Sequence, residues 1–301
     1  NSRSSAKWSM NTLTPMVWPG PVRPRTTIAN AAIRHPEKRV CIAGAYGWRS
    51  TARRDLLTIV YSPEVIDAVV FDMGGVFIVP DPVVLNRVLL SHGVSAALTG
   101  ENAAQRHYAG VRAMTELLAH TDVREGNLDV WEHYDRAYFG VAGIDGDDLD
   151  VAIGARRELR AQGEGELVWR HPLAENIAGF ARIAMLRPVA IVTNNNGTAI
   201  QQCLDHGICQ VGEGALPQVA AIVDSGVLGI SKPDPRIFEP AIEALATTAG
   251  RTLYVGDTVH ADVRGAQAAG MPVVQLDPFD YHDDHDHWRL PGLHALADHL
   301  A

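Results

Sequence analysis

Asp72 ends an apolar run, Asp67-Ala-Val-Val-Phe71, and leads straight into Met73-Gly74-Gly75-Val76. A carboxylate carried by a buried strand into a glycine turn is costly to desolvate without a compensating partner, so its type and place point to chemistry rather than to solubility. Three further signals follow in order: Ile191-Val192-Thr193-Asn194, then Ser231-Lys232-Pro233-Asp234-Pro235, then Tyr254-Val255-Gly256-Asp257 with Asp262 five residues on. Apolar stretches precede the hydroxyl and acid positions, whereas the lysine comes from a loop. A carboxylate, a hydroxyl, a lysine and a late pair of acids, each at a strand end or in a loop, are residue types placed for chemistry.

Residues so far apart meet only if regular elements carry them to one place. Candidate strands are Ala68–Phe71, Val189–Thr193, Ala220–Val223, Thr252–Val255 and Val273–Leu276, with helical patterns between most of them. This alternation predicts an α/β fold, a doubly wound parallel sheet with helices on both faces. Ligands of such sheets bind beyond the carboxyl ends of the strands, where Asp72, Thr193 and Asp257 stand. The long interval from Asp72 to Thr193 predicts an inserted helical module over residues 82–170. Its helices are expected at Pro82–His92, Glu101–His120, Leu128–Phe139 and Asp147–Leu159, forming a lid over the strand ends. The core then comprises residues 66–81 and 171–301, with a helix at Leu173–Leu186 returning the chain to it. On the lid, Arg106, His107 and Arg112 share one expected helix and are candidates to meet a substrate.

The four motifs, in this order and spacing, resemble the haloacid dehalogenase superfamily of hydrolases over roughly residues 66–300. The resemblance implies a Rossmann-like core with the helical first-type (C1) cap and a set of roles. Asp72 is then the nucleophile, Thr193 and Asn194 bind the phosphoryl group together with Gly75, and Lys232 stabilises negative charge. Mg²⁺ is then held by Asp72, the Gly74 carbonyl, Asp257 and Asp262, with Asp262 either ligating or orienting Lys232. Octahedral oxygen coordination suits that donor set. The expected activity is that of a phosphatase on a small phosphorylated metabolite, working through an aspartyl-phosphate that water hydrolyses.

One departure stands out. Phosphatases of this family usually carry a second Asp two residues after the nucleophile to protonate the leaving oxygen, and this chain has Gly74 there. General acid catalysis contributes about 10²–10⁴-fold. Its loss biases the enzyme toward good leaving groups unless the lid supplies an acid. Two alternatives follow from the same glycine: a 2-haloacid dehalogenase, whose family chemistry needs no Mg²⁺, and an inactive binding domain.

Composition bounds these readings. With 301 residues, 47% hydrophobic and 20% charged, the chain can bury a sizeable core. A net charge of −9 argues against a nucleic-acid partner, and the absence of a long apolar run argues against a membrane span. Cys41, Cys203 and Cys209 are too few for a disulfide framework, which fits a reducing compartment, taken as the cytoplasm. Residues 1–65 differ in kind, with 10 Lys or Arg against 3 Asp or Glu, scattered prolines and no sustained period. They read as a poorly ordered extension: a targeting peptide, a tail with its own partner, or a non-native leader. His282, His285 and His287, interleaved with aspartates, offer metal-ligand types but are expected in a solvated loop. Cys203, His206 and Cys209 are expected to pack, and His260 lies within the fourth motif without an assigned role.

Overall fold

The structure is a computed structural model and describes residues 61–120 and 127–301. The readings made for the extension therefore fall almost wholly outside the described residues, as does Cys41. Along the chain lie β1 (Ala68–Phe71), β2 (Ile78–Pro80), α1 (Pro82–Ser91), α2 (Ala103–Leu118), α3 (Leu128–Val141), α4 (Gly146–Ala161), a 3₁₀ turn (Gly165–Val168), β3 (Trp169–Pro172) and α5 (Ala174–Leu186). There follow β4 (Val189–Thr193), α6 (Ala199–Asp205), β5 (Gln210–Val211), β6 (Gln218–Val219), β7 (Ile222–Asp224), α7 (Ser225–Leu228) and α8 (Glu239–Ala244). The chain closes with β8 (Thr252–Gly256), a π turn (Val259–Val263), α9 (Arg264–Ala268), β9 (Val273–Leu276), β10 (Trp288–Leu290) and α10 (Leu293–Leu300).

Six strands form one sheet in the order β10-β9-β8-β1-β4-β7, and every neighbouring pair is parallel. The apolar runs make this possible, because strands covered on both faces must be hydrophobic at odd and even positions alike. Alternate residues divide cleanly between two cores. Val69, Phe71, Val189, Ile191, Leu253 and Val255 face α5 and α10. Val70, Ala190, Val192 and Tyr254 face the opposite layer with Phe238 and Ala266. On the first face Phe71, Phe77 and Phe180 meet with ring centroids 5.1–5.8 Å apart. Each such ring contributes about 1.5–3 kcal/mol by its burial.

Helices α1 to α4 sit between β2 and β3, which pair antiparallel beside the sheet. They share their own apolar cluster, which includes Leu85, Leu89, Val111, Met114, Val130, Tyr134 and Tyr138. Asp81 caps α1 by accepting from Val83 N–H at 2.7 Å, and Asn127 caps α3 by accepting from Asp129 N–H at 2.8 Å. Asp135, buried on α3, pairs with Arg160 and with buried Arg156 of α4 and ties the two helices together.

Several elements differ from the sequence expectation. The strand expected at Ala220–Val223 runs instead over Ile222–Asp224. The β2–β3 pair and β10 were not anticipated, since strands of three or four residues carry too few positions to show a period. The histidine loop is not simply solvated: His282 is fully buried, its Nε2 3.1 Å from Thr115 Oγ1 of α2, and His287 Nε2 donates to Gln275 Oε1 at 2.6 Å. Cys203 and Cys209 are free and buried in the core, as expected. Among the described residues no helix is long and apolar enough to cross a membrane.

Candidate active site

Parallel register delivers the first carboxylate. Phe71 stands between Ile191 of β4 and Val255 of β8, and the next residue, Asp72, donates its N–H to Val255 O at 2.8 Å. Its side chain emerges at the sheet's carboxyl edge beside those of Asp257 and Asp262. These three buried carboxylates each offer an oxygen within 4.8 Å of the others. Lys232 Nζ lies 2.7 Å from both Asp72 Oδ1 and Asp262 Oδ1 and donates to the Tyr254 hydroxyl at 3.0 Å. The approach to Asp72 is an ion pair without hydrogen-bond alignment, so Asp72 Oδ1 keeps unused acceptor capacity.

Asp262 has none to spare. Its Oδ1 serves Lys232 and the Tyr254 hydroxyl, and its Oδ2 accepts from Asp257 N–H, Thr258 N–H and Thr258 Oγ1 at 2.8–3.1 Å. Thr193 is buried at the end of β4, beside Asp224 of β7. Asn194 clamps the lysine loop: its Nδ2 donates to Lys232 O at 3.1 Å and its Oδ1 accepts from Lys232 N–H at 2.8 Å. The side chain expected to bind phosphate is thus spent on positioning the lysine. Gly75 also departs from expectation. Its N–H goes to Ile78 O at 2.8 Å, so it offers a phosphoryl group no donor. Glycine is needed there because φ is +69° and a Cβ would lie 2.2 Å from Asp257 Oδ2.

The lid reaches this floor through His107 of α2. Its Nε2 lies 2.8 Å from Asp257 Oδ2 and its Nδ1 2.8 Å from the Tyr134 hydroxyl, all buried. Arg106 and Arg112, the other candidates on that helix, are elsewhere. Arg106 donates to Thr99 O within the lid, whereas Arg112 donates to Asp284 and Tyr281 O and ties the lid to the core's histidine loop. Floor and lid enclose a cavity of about 1080 Å³ that Asp72, Gly74, Thr193, Lys232, His107 and Trp169 help to line.

Electrostatics separates the acids. Burial opposes every charge here, but Lys232 and the hydrogen bonds around Asp262 hold that carboxyl below its ordinary pKa. Burial likewise works against Lys232, and Asp262 and Asp72 more than restore its charge. Asp72 is pushed up to about 7, mainly by burial, with Lys232 pulling it down and Asp262 and Asp257 adding to the rise. Burial and Asp262 raise Asp257 well above its usual value. One lysine therefore balances one of three carboxylates, and a cation among hard oxygen donors would relieve the other two. Burial drives His107 down to about 3, so it is neutral.

A family model of haloacid dehalogenase-like hydrolases matches residues 66–270. The chain belongs to that family. Among curated proteins, a phosphoserine phosphatase of Thermus thermophilus is 34% identical over 108 residues, 36% of this chain and 42% of the relative. A glyceraldehyde 3-phosphate phosphatase of Methanopyrus kandleri is 39% identical over 62 residues, 21% and 27% of the two chains. The chain thus spans less than half the length of either relative. A phosphatase structure from Thermococcus onnurineus aligns over 78% of this chain and 98% of that one, at 20% identity and a TM-score of 0.46.

Within this haloacid dehalogenase-like hydrolase, the departure at Gly74 has a physical counterpart. A Cβ at Gly74 would meet the Trp169 indole at 3.6 and 3.8 Å, so the ring stands where a longer side chain would extend. Trp169 also packs edge-on to His107. Sequence reasoning missed Trp169, Tyr134 and Glu166 as cavity residues. Their only signal is a position near the lid's helices and return strand, and many solvated positions share it.

Proposed function

We propose that the protein is a Mg²⁺-dependent phosphatase acting on a small phosphorylated metabolite. The observation that carries this reading is the trio of buried carboxylates balanced by one lysine, an arrangement that is unstable without a further cation. Asp72, Asp257 and the Gly74 carbonyl would hold the ion, and Asp262 would position Lys232 because both its oxygens are already engaged. When bound, Mg²⁺ would neutralise phosphoryl oxygens and keep Asp72 and Asp257 ionised.

The remaining steps belong to the chain's own groups. Asp72 attacks phosphorus, Lys232 and Thr193 stabilise the equatorial oxygens, and the lid excludes bulk water. The resulting aspartyl-phosphate is opened by water. Helices α1 to α4 serve as the cap domain, and the buried, unbridged Cys203 and Cys209 suit a reducing cytoplasm. Phosphate release from p-nitrophenyl phosphate is the test. It should require Mg²⁺ and vanish in Asp72→Asn. Halide release from 2-chloropropionate without Mg²⁺ would favour the dehalogenase instead, and silence on both substrates would favour a binding domain.

A further inference from the structure

We propose that Glu166 of the lid is the general acid that replaces the carboxyl missing at residue 74. The proposal rests on the phosphatase reading above. It begins from the cavity, which contains few groups able to give a proton to a leaving oxygen opposite Asp72. His107 is neutral and both its ring nitrogens are engaged. Asp234 is held ionised by Arg236 at the mouth. His260 is kept neutral by burial and by Arg264. Lys232 is committed to the floor.

Glu166 is the remaining carboxyl in the lining, on the 3₁₀ turn three residues before the Trp169 ring that abuts Gly74. Its carboxyl accepts no hydrogen bond among the described residues. Trp131, Trp169, Tyr134, Val111 and Met114 line the lid half of the same cavity and give that half an apolar character. Desolvation there raises its pKa to about 6. Arg156 and Arg160 of α4 oppose the rise, but both guanidiniums are already paired with Asp135, and Asp224 of β7 and Asp72 just past β1 reinforce it. The group thus titrates just below neutrality and can give up and regain a proton.

The chemistry balances in two steps. In the first, an Asp72 oxygen bonds to phosphorus and the ester P–O bond breaks. Its electron pair goes to the leaving oxygen, which takes the Glu166 proton and departs as the alcohol. In the second, water attacks the aspartyl-phosphate and its P–O bond to Asp72 breaks, so that inorganic phosphate leaves with one proton of the water and Asp72 is regenerated as carboxylate. The other proton restores Glu166 as acid.

The test compares Glu166→Gln and Glu166→Asp with the parent on p-nitrophenyl phosphate and on a simple alkyl phosphate such as propyl phosphate, across pH and with Mg²⁺. A nitrophenolate needs no proton to leave, whereas an alkoxide does. Glu166→Gln should therefore lose about 10²–10⁴-fold more in kcat on the alkyl ester than on p-nitrophenyl phosphate, with the alkaline limb of the alkyl-ester pH profile removed. Glu166→Asp should recover part of the loss. An equal loss on both esters, or a change in KM alone, would overturn the proposal and make Glu166 a substrate-binding or structural residue. A parent that releases no phosphate from either ester would sink the phosphatase reading itself, a result distinct from either of these.

Discussion

Neighbouring glycines should respond in opposite ways to a single methyl group. At Gly75 the backbone is left-handed, and an added Cβ would lie 2.2 Å from Asp257 Oδ2, 2.3 Å from its carboxyl carbon and 2.6 Å from His107 Nε2. None of these atoms is the free end of a flexible chain, because the carboxylate and imidazole hold each other at 2.8 Å. Left-handed backbone costs an L-residue about 1–2 kcal/mol, and parting a buried hydrogen bond costs about 1–3 kcal/mol more. Gly75→Ala should therefore lose about 2–5 kcal/mol of stability, a fall in Tm of roughly 4–20 °C for a domain of this size. Turnover should be lost with it, since Asp257 must move. At Gly74 the nearest contact is Trp169 at 3.6 Å and φ is unexceptional, so Gly74→Ala should stay within about 1 kcal/mol of the parent. Urea unfolding of the two variants, followed by fluorescence, measures both. A Gly75→Ala protein as stable as the parent, or a Gly74→Ala protein less stable than the parent by clearly more than about 1 kcal/mol, would refute the close-approach argument.

Three other outcomes follow from the geometry. Asp262→Asn places an amide donor against either Lys232 or the three donors at its other oxygen, so kcat should fall about 10²-fold or more. The Mg²⁺ concentration for half-maximal rate should barely change, and a large rise would make Asp262 a direct ligand. Asp135→Asn removes the one ion partner of buried Arg156 among the described residues, and should cost about 3–5 kcal/mol in thermal or urea unfolding; a neutral result would show the pair to be dispensable. Burial, with the neighbouring histidines and Arg289, depresses His287 to about 4. An imidazole whose folded pKa lies below its unfolded value near 6.5 stabilises the fold above that pH and loses the contribution as pH falls toward 4. About 1–2 kcal/mol should disappear over that window after allowance for partial exposure, and His287→Gln should flatten this part of the stability–pH curve.

The carboxylate and hydroxyl positions of the candidate site were legible because each ends or follows a run whose composition already specifies a buried parallel strand. Asp72, Thr193 and Asp257 meet for that reason, and the register of β1 with β4 and β8 realises it. Lys232 was legible from its proline-bounded loop, although the clamp by Asn194 was not, because an amide that holds a main chain looks the same in sequence as one that binds an anion.

Sequence by itself determined the fold class, the central strands of the sheet, the inserted helices and the types of group on the floor. All of these follow from local apolar period and from residue chemistry. Tertiary structure alone decided what faces that floor. His107 on Asp257, Trp169 over Gly74, Glu166 in the apolar lid and the burial of His282 depend on how helices from a separate segment dock across the strand ends. A helix's period reports which face is apolar, but not which residue of the partner that face will meet.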